Sequence, residues 1–89
     1  MISKTTKRFR ESLAKLPKNI QRQAQESYKL FSQAPNHPSL RFKKVHTIEP
    51  IYSVRINTDY RAVGMIDAEE IIWFWVGSHA EYEKLLRQL

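Results

Sequence analysis

Arg55 and Arg61 are the residues whose type and spacing best suit chemistry on an anion. Each lies in a stretch of alternating apolar and polar residues, and Asn-Thr-Asp at positions 57–59 is typical of a tight turn. A three-residue loop pairs Ile56 with Tyr60, which sets the two arginines opposite each other on one face. Like charges so placed repel, whereas a phosphate bound between two guanidinium groups removes the repulsion. The hairpin therefore predicts an anion site; the alternative is that both side chains extend into solvent or pair with acids.

His79 is a second candidate for chemistry. Ser78 and Glu81 form a capping-box pattern, in which each side chain accepts a hydrogen bond from the other residue's backbone amide. His79 is then the first residue of a helix, where the positive end of the helix dipole disfavours a protonated imidazole. A neutral imidazole can accept a proton, so His79 is a candidate base. The alternative is an ordinary polar histidine on the surface.

Two helices are expected before the hairpin. Apolar residues follow helical spacing after Thr6 until Pro17, and a second amphipathic helix stops before Pro35. The short connection between them predicts an antiparallel helical hairpin. Its outer side is expected to carry basic residues: Lys7, Arg8, Arg10, Lys15, Lys18 and Arg22.

The chain after the rigid loop at residues 35–38 has the pattern of a sheet. A first strand at residues 40–43 alternates apolar and basic residues, and Lys44 interrupts it. Three further strands complete a four-stranded antiparallel meander: residues 51–56, 60–66 and 71–76. The last strand is apolar on both sides, so both of its faces should be covered. Its two tryptophans suit either stacking on nucleic-acid bases or burial in the core or beneath the last helix, and burial is the expectation.

The expected fold is α+β: an N-terminal helical hairpin packed on a four-stranded antiparallel sheet, with a short C-terminal helix. The 89 residues form a single domain, 1–89. There is no cysteine, which excludes disulfides and thiol nucleophiles. The sequence offers no convincing cluster of metal ligands, and we expect no cofactor. The basic start lacks an apolar run and no segment has the length of a membrane span, so we expect a soluble, cytoplasmic protein.

The net charge of +6 is unevenly distributed. Residues 1–46 contain eleven Lys and Arg against two acidic residues, whereas residues 47–89 contain four against seven. This asymmetry favours a polyanionic partner, most simply nucleic acid, or an acidic protein that masks the basic half. A solvated basic helix face is the alternative.

The order of these features resembles the RelE/ParE toxin superfamily of bacterial toxin–antitoxin systems. Three motifs carry the resemblance: Tyr-x-Val-Arg-Ile at residues 52–56, Tyr60-Arg61, and Gly-Ser-His at residues 77–79. The ending Trp-Val-Gly-Ser-His is similar to that of the YafQ-like branch. The resemblance covers nearly the whole chain. It implies a metal-independent endoribonuclease that cleaves messenger RNA, usually on the ribosome, and a cognate antitoxin as partner.

The resemblance also implies roles for particular residues. Arg61 matches the arginine that such toxins use against the scissile phosphate, Arg55 matches a basic position on the preceding strand, and His79 falls where relatives carry a proton-transferring arginine or histidine. Tyr82 either orients the substrate or packs. Secondary candidates for RNA binding lie on the first strand and at its end: Arg41, Lys43, Lys44 and His46.

Two departures from the family pattern keep alternatives open. Relatives commonly begin with an edge strand, yet only Met1–Thr6 precede the first helix, so this strand is expected to be missing or very short. Ser53 stands where some ribonuclease members carry lysine. The superfamily also includes gyrase inhibitors without the catalytic residues. A non-catalytic gyrase-inhibiting toxin, or a basic binding module, is therefore the alternative function.

Overall fold

The computed structural model describes residues 1–89 as three α-helices and a five-stranded sheet. The helices are α1 (Lys7–Ala14), α2 (Lys18–Gln33) and α3 (His79–Gln88). The strands are β1 (Ile2–Thr5), β2 (Lys43–Lys44), β3 (Ile51–Arg55), β4 (Tyr60–Asp67) and β5 (Glu70–Ser78). The order across the sheet is β1-β5-β4-β3-β2. This arrangement confirms the expected α+β class. No helix combines the length and the apolar composition needed to cross a membrane.

The sheet has one strand more than the sequence predicted. β2 to β5 form the expected antiparallel meander, but β1 adds a parallel edge strand beside β5, with Ile2 opposite Glu70 and Thr5 opposite Trp73. The prediction of a four-stranded, purely antiparallel sheet was therefore wrong in strand number and in direction at this edge. The physical reason is that β1 satisfies backbone groups of β5 that would otherwise lack partners.

Both helices of the N-terminal half begin where the sequence indicated, but α1 ends at Ala14, so Leu16 lies outside it. The Thr6 hydroxyl caps α1 by accepting a 3.1 Å hydrogen bond from the Phe9 amide. Pro17 occupies the position before α2, and α2 ends at Gln33, before Pro35. These bounds depend on local chemistry, which explains why the sequence predicts them well.

The first predicted strand is shorter than expected and begins later. Pro38–Leu40 forms a single 3-10 turn, and Arg41 adopts a left-handed backbone conformation with φ of 46°. Leu40 is 1% exposed and anchors this turn in the core. Because a left-handed residue interrupts extended backbone, regular pairing is confined to Lys43–Lys44.

The sheet separates two apolar clusters. On one face, Phe9 and Phe31 from the helical hairpin pack against Val54 and other residues of the sheet. On the opposite face, Val63 packs with Tyr82 of α3. β5 is therefore covered on both faces, which confirms the prediction from its apolar sequence.

A bulge in β5 places its two tryptophans on opposite faces of the sheet. Val63 pairs with Trp75 and its neighbour Gly64 pairs with Trp73, so Phe74 is the extra residue. Trp73 joins the cluster beneath the helical hairpin, and Trp75 lies beside α3. Burial is thus confirmed for Trp73, which is 4% exposed, while Trp75 is partly buried and packs beside α3.

Candidate active site

The turn between β3 and β4 sets the register of the two arginines. The Ile56 amide donates a 3.1 Å hydrogen bond to the Tyr60 carbonyl, and the Asn57 side-chain oxygen accepts from the Tyr60 amide at 2.9 Å. Arg55 and Arg61 consequently lie directly opposite each other. The predicted three-residue turn and the facing pair are both confirmed.

Backbone and hydroxyl oxygens, rather than carboxylates, hold the two guanidinium groups. Nη2 of Arg55 donates to the Thr58 hydroxyl at 2.9 Å. Nη1 of Arg61 donates to the carbonyls of Asn57, Thr58 and Tyr60 at 2.6, 3.2 and 3.0 Å. Neither arginine forms an ion pair, since the ion pairs of the chain lie elsewhere. Both guanidinium groups therefore keep their full positive charge available to an anion.

The surroundings of Arg61 oppose its positive charge. Partial burial lowers the pKa of Arg61 most, and the nearby charge of Arg55 lowers it further. Tyr82 and Asp59 act in the opposite direction, and Arg41 adds to the repulsion. A cation held beside like charges and partly removed from water gains stability when an anion binds. The hairpin thus has the electrostatics of an anion site.

A cleft of about 370 Å³ opens in front of the arginine pair. It brings together six of the residues that the sequence singled out: Arg41, Lys43, Arg55, Arg61, His79 and Tyr82. Ser53 and Glu83 also line it. Five basic side chains around one carboxylate make this a cleft for an anionic ligand.

Gly77 makes room for the ring of Trp75 on the strand beside Arg61. It lies opposite Arg61 on β5. A Cβ atom built at Gly77 would fall 2.8 Å from the ring of Trp75, closer than carbon atoms approach. Glycine at this position therefore lets the Trp75 ring cross the strand and leaves Arg61 without a bulky neighbour on β5.

The start of α3 is fixed by the predicted capping box. The Ser78 hydroxyl accepts from the Glu81 amide at 3.2 Å, and the Glu81 carboxylate accepts from the Ser78 amide at 3.0 Å. These hydrogen bonds to Ser78 lower the pKa of Glu81. The backbone amide of His79 donates to the Asp59 carbonyl at 2.7 Å. The last contact ties the first residue of α3 to the arginine hairpin.

The His79 imidazole lies half exposed at the mouth of the cleft. Its Nε2 atom is 3.4 Å from a carboxylate oxygen of Glu83, and its ring stacks on Tyr82 at a centroid distance of 6.0 Å. Its Nδ1 atom forms no hydrogen bond. Sequence reasoning missed Glu83, although its spacing of four residues from His79 on a helix was a readable signal.

The Tyr82 hydroxyl faces the sheet rather than solvent. It donates a 3.0 Å hydrogen bond to Oγ of Ser53, and the two residues are 4% and 2% exposed. The tyrosine ring forms part of the cleft wall, but its polar atom is already paired. Of the two roles considered for Tyr82, this geometry favours packing.

The two lysines of β2 lie on opposite faces of the sheet. Lys43 pairs with Ser53 and so shares the face of the cleft, whereas Lys44 pairs with Tyr52 and lies on the other face. Lys43 therefore lines the cleft and Lys44 does not.

His46 is also outside the cleft. Its Nδ1 atom accepts hydrogen bonds from the amides of Ile48 and Glu49 at 3.1 and 2.8 Å, and its Nε2 atom lies 3.1 Å from the Leu89 carbonyl. The ring thus joins the loop after β2 to the end of α3. No cluster of His, Asp and Glu side chains in the chain has the arrangement of a metal site.

Comparisons with known proteins identify the family and the fold of this chain. A family model described as the ParE-like toxin domain matches residues 18–84. A comparison with curated protein sequences gives no match. Among solved structures, the RelB–RelE antitoxin–toxin complex from Methanococcus jannaschii contains a chain with a TM-score of 0.74 and 17% identity, covering 92% of this chain and 96% of that chain.

Two further structures show the same fold. The DinJ–YafQ toxin–antitoxin complex of E. coli gives a TM-score of 0.72 at 8% identity, with 89% of this chain and 92% of that chain covered. The isolated E. coli RelE toxin gives 0.66 at 17% identity, with 99% and 98% covered. At such low sequence identities, the structural similarity establishes the fold of this chain.

Proposed function

Because this chain belongs to the ParE-like toxin domain family, within the RelE/ParE superfamily, we propose that it is the toxin of a type II toxin–antitoxin system and cleaves messenger RNA. The observation that carries this proposal is the facing pair of Arg55 and Arg61, neither neutralised by a carboxylate, in one cleft with His79. Cleavage of messenger RNA in the ribosomal decoding site would inhibit translation.

The proposed reaction uses the RNA's own nucleophile. The 2′-oxygen attacks the adjacent phosphorus, an O2′–P bond forms, and the P–O5′ bond breaks. The products are a 2′,3′-cyclic phosphate and a 5′-hydroxyl. One proton leaves the 2′-hydroxyl and one is delivered to O5′, while negative charge grows on the non-bridging phosphate oxygens. The protein must position the strand, move these protons and stabilise that charge, and none of these tasks requires a metal ion.

Arg61 is suited to stabilise the developing charge. Its Nη1 atom is held by the turn carbonyls, so the guanidinium is oriented before RNA binds. Its remaining N–H groups are free to donate to a phosphate, and repulsion from Arg55 is relieved when that anion arrives. Such prior orientation avoids reorganisation during the reaction. Arg55 would bind the same phosphate from the opposite strand.

His79 is suited to proton transfer. Nε2 faces Glu83, which leaves Nδ1 without a hydrogen-bond partner and able to accept the 2′-hydroxyl proton. Arg41 and Lys43, at the edge of the same cleft, would hold the flanking phosphates of the strand.

A cognate antitoxin protein is the proposed partner. Solved relatives of this fold occur in the RelB–RelE and DinJ–YafQ toxin–antitoxin complexes. The basic residues proposed to face that antitoxin are all exposed: Lys7, Arg8, Arg10, Lys15, Lys18 and Arg22. We propose the cytoplasm, where ribosomes and messenger RNA are found, as its site of action.

Ser53 favours an alternative function. It stands where the resemblance places a lysine in some ribonucleases, and its hydroxyl is buried against Tyr82. A toxin that lacks this cation could instead inhibit gyrase through a protein contact.

One experiment separates the two functions. The purified protein is added to a translating extract, and RNA ends are mapped with and without EDTA; gyrase supercoiling is measured in parallel. Ribonuclease function predicts new 5′-hydroxyl ends within coding sequence that are insensitive to EDTA, with normal supercoiling. Intact RNA together with inhibited supercoiling would overturn the ribonuclease proposal.

A further inference from the structure

A second cleft lies on the other side of Arg55. It has a volume of about 420 Å³ and opens between α2, the 3-10 turn and the end of β3. Arg55 lines both this cleft and the one that contains Arg61 and His79. A chain bound at the arginine pair can therefore extend into the second cleft without crossing the body of the protein.

The backbone N–H and C=O groups of Arg55 lie on an unpaired edge of β3 beside the second cleft. The Ile56 amide bonds to Tyr60 on β4, so the N–H and C=O of Arg55, one residue earlier, point to the opposite edge of β3. β2 pairs only with Tyr52 and Ser53 and does not reach this position. The N–H and C=O groups of Arg55 form no hydrogen bond with another element. A donor and an acceptor thus stand side by side next to the second cleft.

Polar side chains complete a set of groups that suits a nucleobase. The Gln23 side-chain oxygen accepts from the Asn57 amide, which leaves the Gln23 NH2 group as a donor. The Glu26 carboxylate is an acceptor with no ion-pair partner. Leu30, Leu40 and Ile56 form the apolar part of the lining.

These features discriminate between the parts of an RNA strand. The second cleft has one carboxylate, Glu26, for its one cationic side chain, Arg55, whereas the first cleft has an excess of basic side chains. The phosphates of the strand are therefore attracted to the first cleft much more than to the second. A planar base can lie on the apolar side chains while its edge bonds to the polar groups, as single-stranded RNA bases do in proteins. The volume falls within the range of about 300–1,000 Å³ common for small-molecule sites.

We propose that the second cleft binds the base of a nucleotide next to the cleaved phosphodiester and prefers a base with an exocyclic amino group. The amino group donates to Glu26, while the Arg55 backbone bonds to the neighbouring base atoms. Uracil, which has no amino group, presents only carbonyl oxygens and one ring N–H. This inference rests on the proposed function, since it assumes that RNA is bound at the Arg55–Arg61 pair.

Binding can be tested without cleavage. Trinucleotides of adenosine or uridine with 2′-O-methyl groups lack the nucleophile, and their binding is followed by NMR of the Arg55 backbone amide and the Gln23 side-chain amide. We expect both signals to shift on titration with the adenosine trinucleotide, with an affinity about tenfold above that of the uridine trinucleotide, the usual effect of one hydrogen bond to a charged group. Equal affinities, or shifts confined to the residues around Arg61 and His79, would overturn the proposal.

Charge-matched variants locate the preference. Glu26→Gln should reduce the adenosine preference to about twofold or less, since a neutral amide is a weaker acceptor than a carboxylate. Glu11→Gln removes the same charge from the exposed face of α1 and should keep the preference. An unchanged preference in Glu26→Gln would contradict the assignment. Because binding is measured directly, this test does not depend on cleavage. If the protein prefers the adenosine trinucleotide but fails to cleave RNA, the ribonuclease function is refuted and the base-binding site is still supported.

Discussion

The hydroxyl of Tyr82 donates a buried 3.0 Å hydrogen bond to Oγ of Ser53, and this bond joins α3 to β3 beneath the cleft. Tyr82→Phe removes the donor and leaves the Ser53 hydroxyl without its partner. We expect a loss of about 1 kcal/mol in the free energy of unfolding, measured by urea denaturation. Cleavage should change far less than in Arg61→Ala. Ser53→Ala should cost less in the Tyr82→Phe background than alone; strict additivity would show that the bond contributes nothing.

Arg61→Ala tests the charge stabiliser. Loss of one transition-state contact should lower the cleavage rate about a hundredfold, or about 3 kcal/mol, by analogy with removal of an oxyanion donor. The side chain also bonds to three turn carbonyls, so a stability loss of about 1 kcal/mol is expected alongside. Arg55→Ala should act in the same direction but more weakly.

The control for Arg61→Ala is Arg87→Ala, which removes an exposed arginine from the last turn of α3. It should leave the rate and the stability near wild type. Single-turnover cleavage and thermal melting are measured for all three variants. Normal cleavage by Arg61→Ala would remove this residue from the mechanism.

His79→Gln tests proton transfer. The capping box of Ser78 and Glu81 stays intact, so the fold should persist while the rate falls by a factor of roughly 10² to 10⁴, as is typical on losing a general acid or base. His37→Gln, which changes a histidine outside the cleft, should cleave normally. A His79→Gln protein with a lower melting temperature but an unchanged rate would indicate a packing role.

The lowered pKa of the Glu81 carboxylate predicts how the free energy of unfolding depends on pH. Hydrogen bonds from Ser78 place its pKa in the folded protein below the value of 4.5 expected when unfolded. The stabilisation is therefore present above about pH 4.5 and is lost as the pH falls through the folded pKa. Glu81→Gln keeps a hydrogen-bonding side chain without the charge, so its melting temperature should lie below wild type at neutral pH and approach it as the pH falls through the folded pKa of Glu81. A temperature difference that does not vary with pH would contradict this origin.

The basic N-terminal half should control the rate of antitoxin binding. An acidic, partly disordered segment that folds on this surface would associate more slowly as salt rises. Stopped-flow association rates should therefore fall with ionic strength, and the double variant Lys18→Glu, Arg22→Glu should bind more slowly than Arg87→Glu. Association independent of salt would show that apolar contact, not charge, governs recognition.

Local chemistry let the sequence alone determine much of the candidate site. Polar turn residues at 57–59 fix the register that sets Arg55 against Arg61, and hydrogen bonds within four residues fix the start of α3 at Ser78. Each pattern involves neighbours in the chain, so no distant partner is needed to read it.

Tertiary structure decided the features that depend on distant partners. β1 becomes a strand only because β5 offers a free edge, and the bulge at Phe74 turns Trp73 and Trp75 to opposite faces because two different layers cover them. His46 leaves the cleft because its ring nitrogens bond to its own loop and to the end of α3. The sequence contains every one of these residues, but the energies that place them arise from contacts that form only when the chain has folded.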